Sequence, residues 1–242
     1  MIIEDANYVE VFDINNAWRD AMWLCVRKGY DFVVEKGSYE GQIRKQLSDI
    51  KIVIREPWTR PLEPIMPPSI PPPTDAEKIK EYFREKLIGN VKKGNEQYTY
   101  GEFIEPQLPR IIELLSESRG NTNQACITVG EPASTFLSDP PCLKVVSFKV
   151  VNKQLEMSVF FRSWDLISGL PQNLGGLQLL KEYVLVDLPE ELKITDGRMI
   201  AYSDGLHIYD QYFEISDMLN VDKIEVSDKV WQDKEEFSKT LE

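Results

Sequence analysis

The proline content of residues 57–73 constrains the fold of this chain more than any other sequence feature. Eight prolines fall in this stretch, and proline lacks the backbone N–H that helices and central strands need. We therefore expect a stiff, polyproline-like surface connection, and a motif that binds a partner protein is the alternative interpretation. Interspersed apolar side chains predict that the segment packs on the domain: Trp58, Leu62, Ile65, Met66 and Ile70.

Helical and strand patterns are mixed along the rest of the chain. The patterns predict helices over 12–28, 74–87, 104–118, 173–186 and 210–220, with Thr74 as the N-cap of the second. They predict strands over 30–35, 43–54, 125–130, 143–151, 155–163 and 198–209, the last with a glycine interruption. No internal repeat or break in composition divides the chain, so we expect one α+β domain over residues 1–242.

The charge balance and the cysteine usage exclude several classes of function. Lys and Arg total 28 and Asp and Glu total 40, a net charge of −12, which makes the chain a poor partner for nucleic acid. We expect no membrane partner, since no apolar run spans a bilayer and the first residues do not resemble a secretory signal. Three cysteines and a single histidine, without metal-ligand spacing, predict no metal site and a reducing, cytoplasmic location.

Four short motifs carry the chemistry of the second half of the chain. Each has an ordinary interpretation when it is taken alone: a buried cysteine, a solvated arginine, a helix-capping asparagine and a core histidine. The motifs are Pro140-Pro141-Cys142, Arg162-Ser163-Trp164-Asp165, Gly169-Leu170-Pro171-Gln172-Asn173 and His207-Ile208-Tyr209.

Taken together, the motifs resemble those of the folate-dependent thymidylate synthase family, and their exact residues are most similar to those of the archaeal branch. Tyr100-Gly101 and the early strand Gln42-Ile43-Arg44 with Leu47 fit further family positions. The resemblance covers about residues 40 to 220 and is most specific over 139–209. It implies a three-layer α+β domain on a mixed β-sheet and a homodimer with twofold symmetry.

The resemblance also implies an activity, the reductive methylation of dUMP to dTMP. The implied co-substrate is 5,10-methylene-tetrahydrofolate or a methanopterin analogue, and no metal is implied. The implied catalytic residues are Cys142, whose thiolate adds to C6 of uracil, Asp165, where pterin and pyrimidine meet, and Asn173, which bonds the uracil edge. The implied nucleotide-binding residues are Arg162 and Ser163 at the phosphate, Asn173 at the base, and His207 and Tyr209 at the ribose hydroxyl.

The chain departs from the family pattern at several places. Residues 121–125 replace the usual pair of arginines that reach the partner's phosphate site, and four residues could compensate: Arg44, Arg119, Asn123 and Gln124. The glutamate that organises water at the pyrimidine lacks its usual context, and Glu81 or Glu96 could take its place. Asp204 lies three residues before His207 rather than two, and the C-terminal DKEEFSKTLE lacks the usual apolar tail.

Two alternatives therefore stay open. A pyrimidine-nucleotide 5-hydroxymethylase acting on dCMP, CMP or dUMP would use the same thiolate, with water trapping the exocyclic methylene. A non-catalytic nucleotide-binding paralogue would explain the missing arginines, although it would have no need of Cys142. The amide of Asn173 favours uracil, because it offers both a donor and an acceptor to O4 and N3–H.

Overall fold

Two β-sheets frame the protein in the computed structural model, which describes residues 7–37, 39–67, 70–94 and 96–221. Each sheet contains both parallel and antiparallel pairs, so the expected α+β class on a mixed sheet is confirmed. The larger sheet has the order β1 (Tyr8–Val11), β4 (Ile50–Ile54), β9 (Thr195–Ser203), β7 (Gln154–Phe161), β6 (Leu143–Val151) and β5 (Cys126–Thr128). The smaller sheet has the order β2 (Tyr30–Val33), β3 (Ile43–Leu47), β10 (Leu206–Tyr209) and β8 (Trp164–Asp165).

One of the predicted strands is wrong as a single strand, and another is interrupted at the glycine where the sequence predicts it. Residues 43–54 divide into β3 and β4, and a turn with Asp49 at φ 54° carries the chain from one sheet to the other. Residues 198–209 divide in the same way into β9 and β10 around Gly205. The apolar pattern continues across both breaks because each half is buried in its own sheet. These crossings bring β10 next to β8 and β3.

The hairpin of β6 and β7 agrees closely with its prediction. Asn152 and Lys153 occupy the turn with φ of 51° and 67°, which is the geometry of tight hairpin turns that follow the strand twist. Side chains of β7 alternate between buried and half-buried, because one face of the larger sheet meets the helices. The register that the turn fixes places Leu143 opposite Phe161, so the residues just outside the strands, 142 and 162, lie side by side.

The helices follow the predictions with shifted starting points. Asp75 rather than Thr74 caps the second helix, since its carboxylate accepts the Lys78 N–H at 2.8 Å. The long helix begins at Gly169, so Asn173 lies inside its first turns and does not cap it. The helices are α1 (Ile14–Lys28), α2 (Ala76–Tyr82), α3 (Gly101–Ile104), α4 (Leu108–Glu117), α5 (Gly169–Val186) and α6 (Phe213–Val221).

Helices α1 and α5 connect the two sheets. Helix α1 contacts β1 and β4 of the larger sheet and β3 and β10 of the smaller one, and α5 contacts β7, β9 and β8. The buried Trp18 indole of α1 donates to the carbonyl of Leu166 at 3.0 Å, just before α5. A main-chain carbonyl without a partner would be costly in this dry core. This bond therefore holds the start of α5 in place.

A pair of glycines lets α2 approach α5 closely. A Cβ atom on Gly176 would lie 2.4 Å from Cδ1 of Tyr82, and one on Gly175 would lie 2.9 Å from Ile79. Helix interiors usually disfavour glycine, so these positions are explained by the side chains they admit. Directly after Tyr82 the helix widens into a π-helical turn, Phe83–Leu87, a feature often found at functional sites.

The proline-rich segment is a surface connection with neither helix nor strand in its described parts, 57–67 and 70–73. Leu62 is buried and Trp58 lies near the Lys181 ammonium, so the predicted packing is confirmed at these positions. It is wrong for Ile65, whose side chain is 60% exposed. Among the described residues, the structure has no helix with the length and apolarity required to cross a membrane.

Candidate active site

A cleft of about 750 Å³ opens between the smaller sheet and residues 138–142. The cleft is lined by residues of strands that are distant in sequence but paired with each other in the smaller sheet. His207 of β10 lies opposite Asp165 of β8, and Tyr209 lies opposite Arg44 of β3. The lining contains six of the seven predicted site residues, namely Cys142, Arg162, Ser163, Asp165, His207 and Tyr209.

Cys142 follows the two prolines and precedes β6. Burial raises the pKa of its thiol, and the positive charges of Arg162, Lys144 and Arg44 act in the opposite direction. The effect of Arg162 on the thiolate is therefore present as expected, but desolvation outweighs it in this structure. A thiolate at this position depends on the cations of the cleft for its stability.

Arg162 holds the proline segment against the end of β7. Its backbone N–H donates to the Cys142 carbonyl at 2.9 Å, and its Nε donates to Pro141 O at 3.2 Å. Its Nη2 donates to Pro140 O and lies 3.5 Å from an Asp139 carboxylate oxygen. Because these contacts use Nε and Nη2, Nη1 is the guanidinium nitrogen available to a ligand. Arg162 thus positions the cysteine in addition to lining the cleft.

His207 is a neutral acceptor on the wall of the cleft. Its side chain is only 3% exposed, and burial, with a further effect of Arg44, lowers its pKa to about 4. Its Nδ1 lies 2.9 Å from the Gly205 carbonyl, an atom that can only accept. The proton must therefore be on Nδ1, which leaves Nε2 as an acceptor for a ligand hydroxyl.

Asp165 fastens the beginning of α5. One of its carboxylate oxygens accepts from the Ser168 hydroxyl at 2.6 Å and from the Gly169 N–H at 3.0 Å, and the other accepts from the Ile167 N–H at 3.2 Å. A carboxylate at a helix N-terminus stabilises it through the exposed N–H groups and the helix dipole. Asp165 lines the cleft and orients the turn from which α5 carries Asn173.

Asn173 lies half-buried on α5 and is not among the residues that line this cleft. Its Oδ1 accepts a hydrogen bond of 2.8 Å from the indole Nε1 of Trp164. The same side-chain amide lowers the pKa of the Tyr82 hydroxyl, against the larger effect of burial, which raises it. Asn173 therefore faces a buried polar group on α2 rather than the open part of the cleft.

Arg44 lies outside the four motifs but contributes a cation to the cleft. It lines the cleft, its guanidinium lies 4.5 Å from the Phe32 ring centre, and it lowers the pKa of His207. Its buried Nε has no hydrogen-bond partner among the described residues. The other candidates, Arg119, Asn123 and Gln124, are exposed and outside the cleft.

A second cleft, of about 830 Å³, adjoins the first at Ser138 and Asp139. Glu81 and Glu96, the expected organisers of water, lie here in ion pairs with Lys93 and Lys86. Neither glutamate lines the cleft of Cys142.

Three tyrosines also line the second cleft: Tyr82, Tyr98 and Tyr100. Burial raises the pKa of each of them, and the charge of Cys142 adds to that effect. Sequence analysis missed Tyr82 as a site residue. The signal that could have found it is the Gly175–Gly176 pair. Two glycines within the leucine-rich α5 indicate that another segment packs closely against that helix.

The comparisons with known proteins agree with this geometry. A sequence model of the thymidylate synthase family matches residues 93–233. The chain belongs to the thymidylate synthase family. Two relatives carry the name "Putative thymidylate synthase": one from Methanosarcina mazei, 27% identical over 88% of this chain and 94% of its own, and one from Methanopyrus kandleri, 30% identical over 57% and 66%.

A solved structure shows the same fold. The thermostable thymidylate synthase A from Bacillus subtilis matches with a TM-score of 0.63 and 14% identity, over 86% of this chain and 84% of that one. The fold implied by the resemblance is therefore confirmed. No cluster of His, Cys, Asp and Glu among the described residues could hold a metal ion. The C-terminal segment DKEEFSKTLE lies outside the described residues.

Proposed function

We propose that this protein is a thymidylate synthase that converts dUMP to dTMP, with methylene-tetrahydrofolate or a methanopterin analogue as co-substrate. Membership of the family supports the proposal. The observation that carries it is the placement of the Cys142 thiol in one cleft with Arg44, Arg162 and a neutral His207. A nucleophile, cations for a phosphate and an acceptor for a ribose hydroxyl are the groups that dUMP requires.

Cys142 makes the pyrimidine ring reactive in this proposal. The electron pair of the thiolate forms the C6–S bond, and the displaced ring electrons pass to C5 and O4. The folate supplies the one-carbon unit and then a hydride. Removal of the C5 proton and expulsion of the thiolate restore the ring and the enzyme. Hydroxyl groups of the buried tyrosines lie within electrostatic range of the thiol, and burial keeps them protonated. They can therefore orient a water molecule that accepts the C5 proton, rather than accept it themselves.

The remaining cleft residues bind the nucleotide. Nη1 of Arg162, the Arg44 guanidinium and the Ser163 hydroxyl can surround the phosphate, whose two charges suit guanidinium donors. Nε2 of His207 and the Tyr209 hydroxyl can accept from and donate to the ribose hydroxyl. Arg44 thereby takes the place of the missing arginine pair.

The second cleft fits the folate co-substrate. Aromatic rings of Tyr98 and Tyr100 offer a surface for a flat ring system, and Lys78, Lys86 and Lys93 are cations at the rim. The cleft meets the cleft of Cys142 at Ser138 and Asp139, so a ring bound in it would lie next to the pyrimidine.

We also propose a homodimer through the open face of the larger sheet. Val145 pairs with Phe160, and Phe160 pairs with Tyr202, so three partly exposed apolar side chains form a row across β6, β7 and β9. A self-complementary patch of this kind suits a twofold interface. Light scattering should give the mass of a dimer at micromolar concentration, and Phe160→Glu should give a monomer. A wild-type monomer would contradict the dimer.

The cellular location follows from the nucleophile. Cys25, Cys126 and Cys142 are free thiols in the structure, and Cys142 must stay reduced to add to a ring. We therefore propose a reducing, cytoplasmic location.

One assay tests the proposed function. Enzyme, dUMP and methylene-tetrahydrofolate are mixed, dihydrofolate is followed by its absorbance, and the nucleotide is identified by mass spectrometry. We expect dTMP with the wild type and none with Cys142→Ser. A hydroxymethylated product from dCMP, CMP or dUMP would replace the proposal with a hydroxymethylase. No product with either folate or methanopterin donors would indicate a nucleotide-binding protein.

A further inference from the structure

The orientation of the Asn173 side-chain amide is fixed by a neighbour that can only donate. The indole Nε1 of Trp164 lies 2.8 Å from Oδ1 of Asn173. An indole N–H has no acceptor capacity, so the atom facing it must be the amide oxygen. In the reversed orientation two donors would face each other in a half-buried site, which is unfavourable.

The Trp164 indole has little freedom to move away. Trp164 is only 2% exposed, and its ring stacks on Phe161 with centroids 4.0 Å apart and an angle of 6°. Its backbone N–H donates to the Gly205 carbonyl at 2.9 Å. Packing and main-chain pairing therefore both hold the donor that faces Asn173.

The fixed amide directs its donor group towards the Tyr82 hydroxyl. With Oδ1 on the indole, Nδ2 is the end of Asn173 that faces this hydroxyl, and its interaction with the phenolic oxygen lowers the pKa of Tyr82. Nδ2 carries two hydrogens, so one N–H is left for another acceptor. The hydroxyl of Tyr82, whose ring fits over Gly176, is buried, and no described group is in place to accept its proton. One N–H of Asn173 and the O–H of Tyr82 therefore remain for an acceptor that a ligand supplies.

We propose that Trp164 is a positioning residue that sets the choice of base, because it locks Asn173 so that Nδ2 and the Tyr82 hydroxyl together receive a ring carbonyl. This inference rests on the proposed function and specifies its substrate class. The O4 of uracil is an acceptor, and the second lone pair of Oδ1 can accept the N3–H of uracil. Cytosine presents an exocyclic amine and an unprotonated N3 instead. The locked amide cannot rotate to suit it.

Nucleotide binding without any folate tests the inference. Affinities for dUMP and dCMP are measured by calorimetry for the wild type, Trp164→Phe and Tyr82→Phe. Trp164→Phe keeps a flat ring on Phe161 but removes the donor, so the amide can rotate. We expect the ratio of dUMP to dCMP affinity to fall roughly tenfold in this variant, the equivalent of about one hydrogen bond. Tyr82→Phe should lower the same ratio while the amide stays locked.

The ratio of dUMP to dCMP affinity separates a positioning role from mere loss of packing, because lost packing would weaken the binding of both nucleotides equally. Trp23→Phe makes the same chemical change on α1, outside the cleft, and should leave both affinities unchanged. An unchanged ratio in Trp164→Phe would overturn the inference and leave the proposed function standing. If Trp164→Phe fails to fold, an unchanged ratio in Tyr82→Phe overturns it. Wild-type protein that binds neither nucleotide at millimolar concentration would overturn both.

Discussion

The two adjoining clefts differ in how their positive charges are balanced. In the second cleft the lysines are neutralised by glutamates of the same chain, as Lys86 is by Glu96 and Lys93 is by Glu81 and Glu85. In the cleft of Cys142, Arg44 forms no ion pair with a described carboxylate, and its charge acts on His207 and on the thiol. A strong anion therefore has an unmatched partner in the first cleft, and a largely uncharged ring system suits the second.

Removal of the nucleophile is the largest expected effect. Cys142→Ser should lower turnover of dUMP by about a thousandfold or more, because a serine hydroxyl at neutral pH is a far weaker nucleophile than a thiolate. Steady-state dTMP formation measures the loss. Affinity for dUMP should stay within a few-fold, since the charges of the cleft are intact. Cys126→Ser, a matched change on exposed β5, should keep wild-type turnover; a comparable loss there would contradict the assignment of Cys142.

The buried imidazole should make the stability of the protein depend on pH. The pKa of His207 falls from 6.5 to about 4 in the folded protein, so the unfolded chain binds the extra proton more readily. The contribution of His207 to the free energy of unfolding is therefore fully present above about pH 6.5. It declines as the pH falls towards 4, by roughly 3 kcal/mol at most. Urea unfolding across this range measures the decline.

A variant without the imidazole isolates this effect from other acid-sensitive groups. His207→Asn should show a shallower loss of unfolding free energy between pH 6.5 and 4 than the wild type, whatever its stability at neutral pH. Equal slopes for the two proteins would mean that His207 is solvated in solution, and that the wall of the first cleft is less dry than its 3% exposure indicates.

The unmatched charge of Arg44 should appear in substrate binding. Arg44→Met should raise the KM for dUMP roughly 10- to 100-fold, the usual range for a lost charge-assisted hydrogen bond. Deoxyuridine lacks the phosphate, so its weak binding should not change. Lys86→Met removes a cation of the second cleft that is already paired, and should leave the KM for dUMP unchanged. A similar rise for both variants would remove the distinction between the clefts.

The sequence predicts the cleft of Cys142 far better than its neighbour. Motif residues such as Cys142 and His207 belong to short ordered segments, and strand register then brings them together. The place of Tyr82 depends on where α2 crosses α5, a contact between segments about 90 residues apart that no local pattern encodes. The indole bond of Trp164 depends on how α5 starts relative to β8. The strand break at 48–49 has no signal in the sequence, because buried apolar residues continue across the change of sheet, whereas Gly205 marks the break between β9 and β10.

The smallest expected effect gives the most direct view of the uncompensated charge. The chain contains one histidine, so a single set of imidazole resonances reports the pKa of His207 by NMR titration. Burial is the main cause of the lowered pKa and Arg44 is the next. Arg44→Met should therefore raise this pKa while leaving it below 6.5, and Lys86→Met should not move it. If Arg44→Met has no effect, solvent ions balance Arg44 in solution, and the contrast between the clefts reduces to shape and burial.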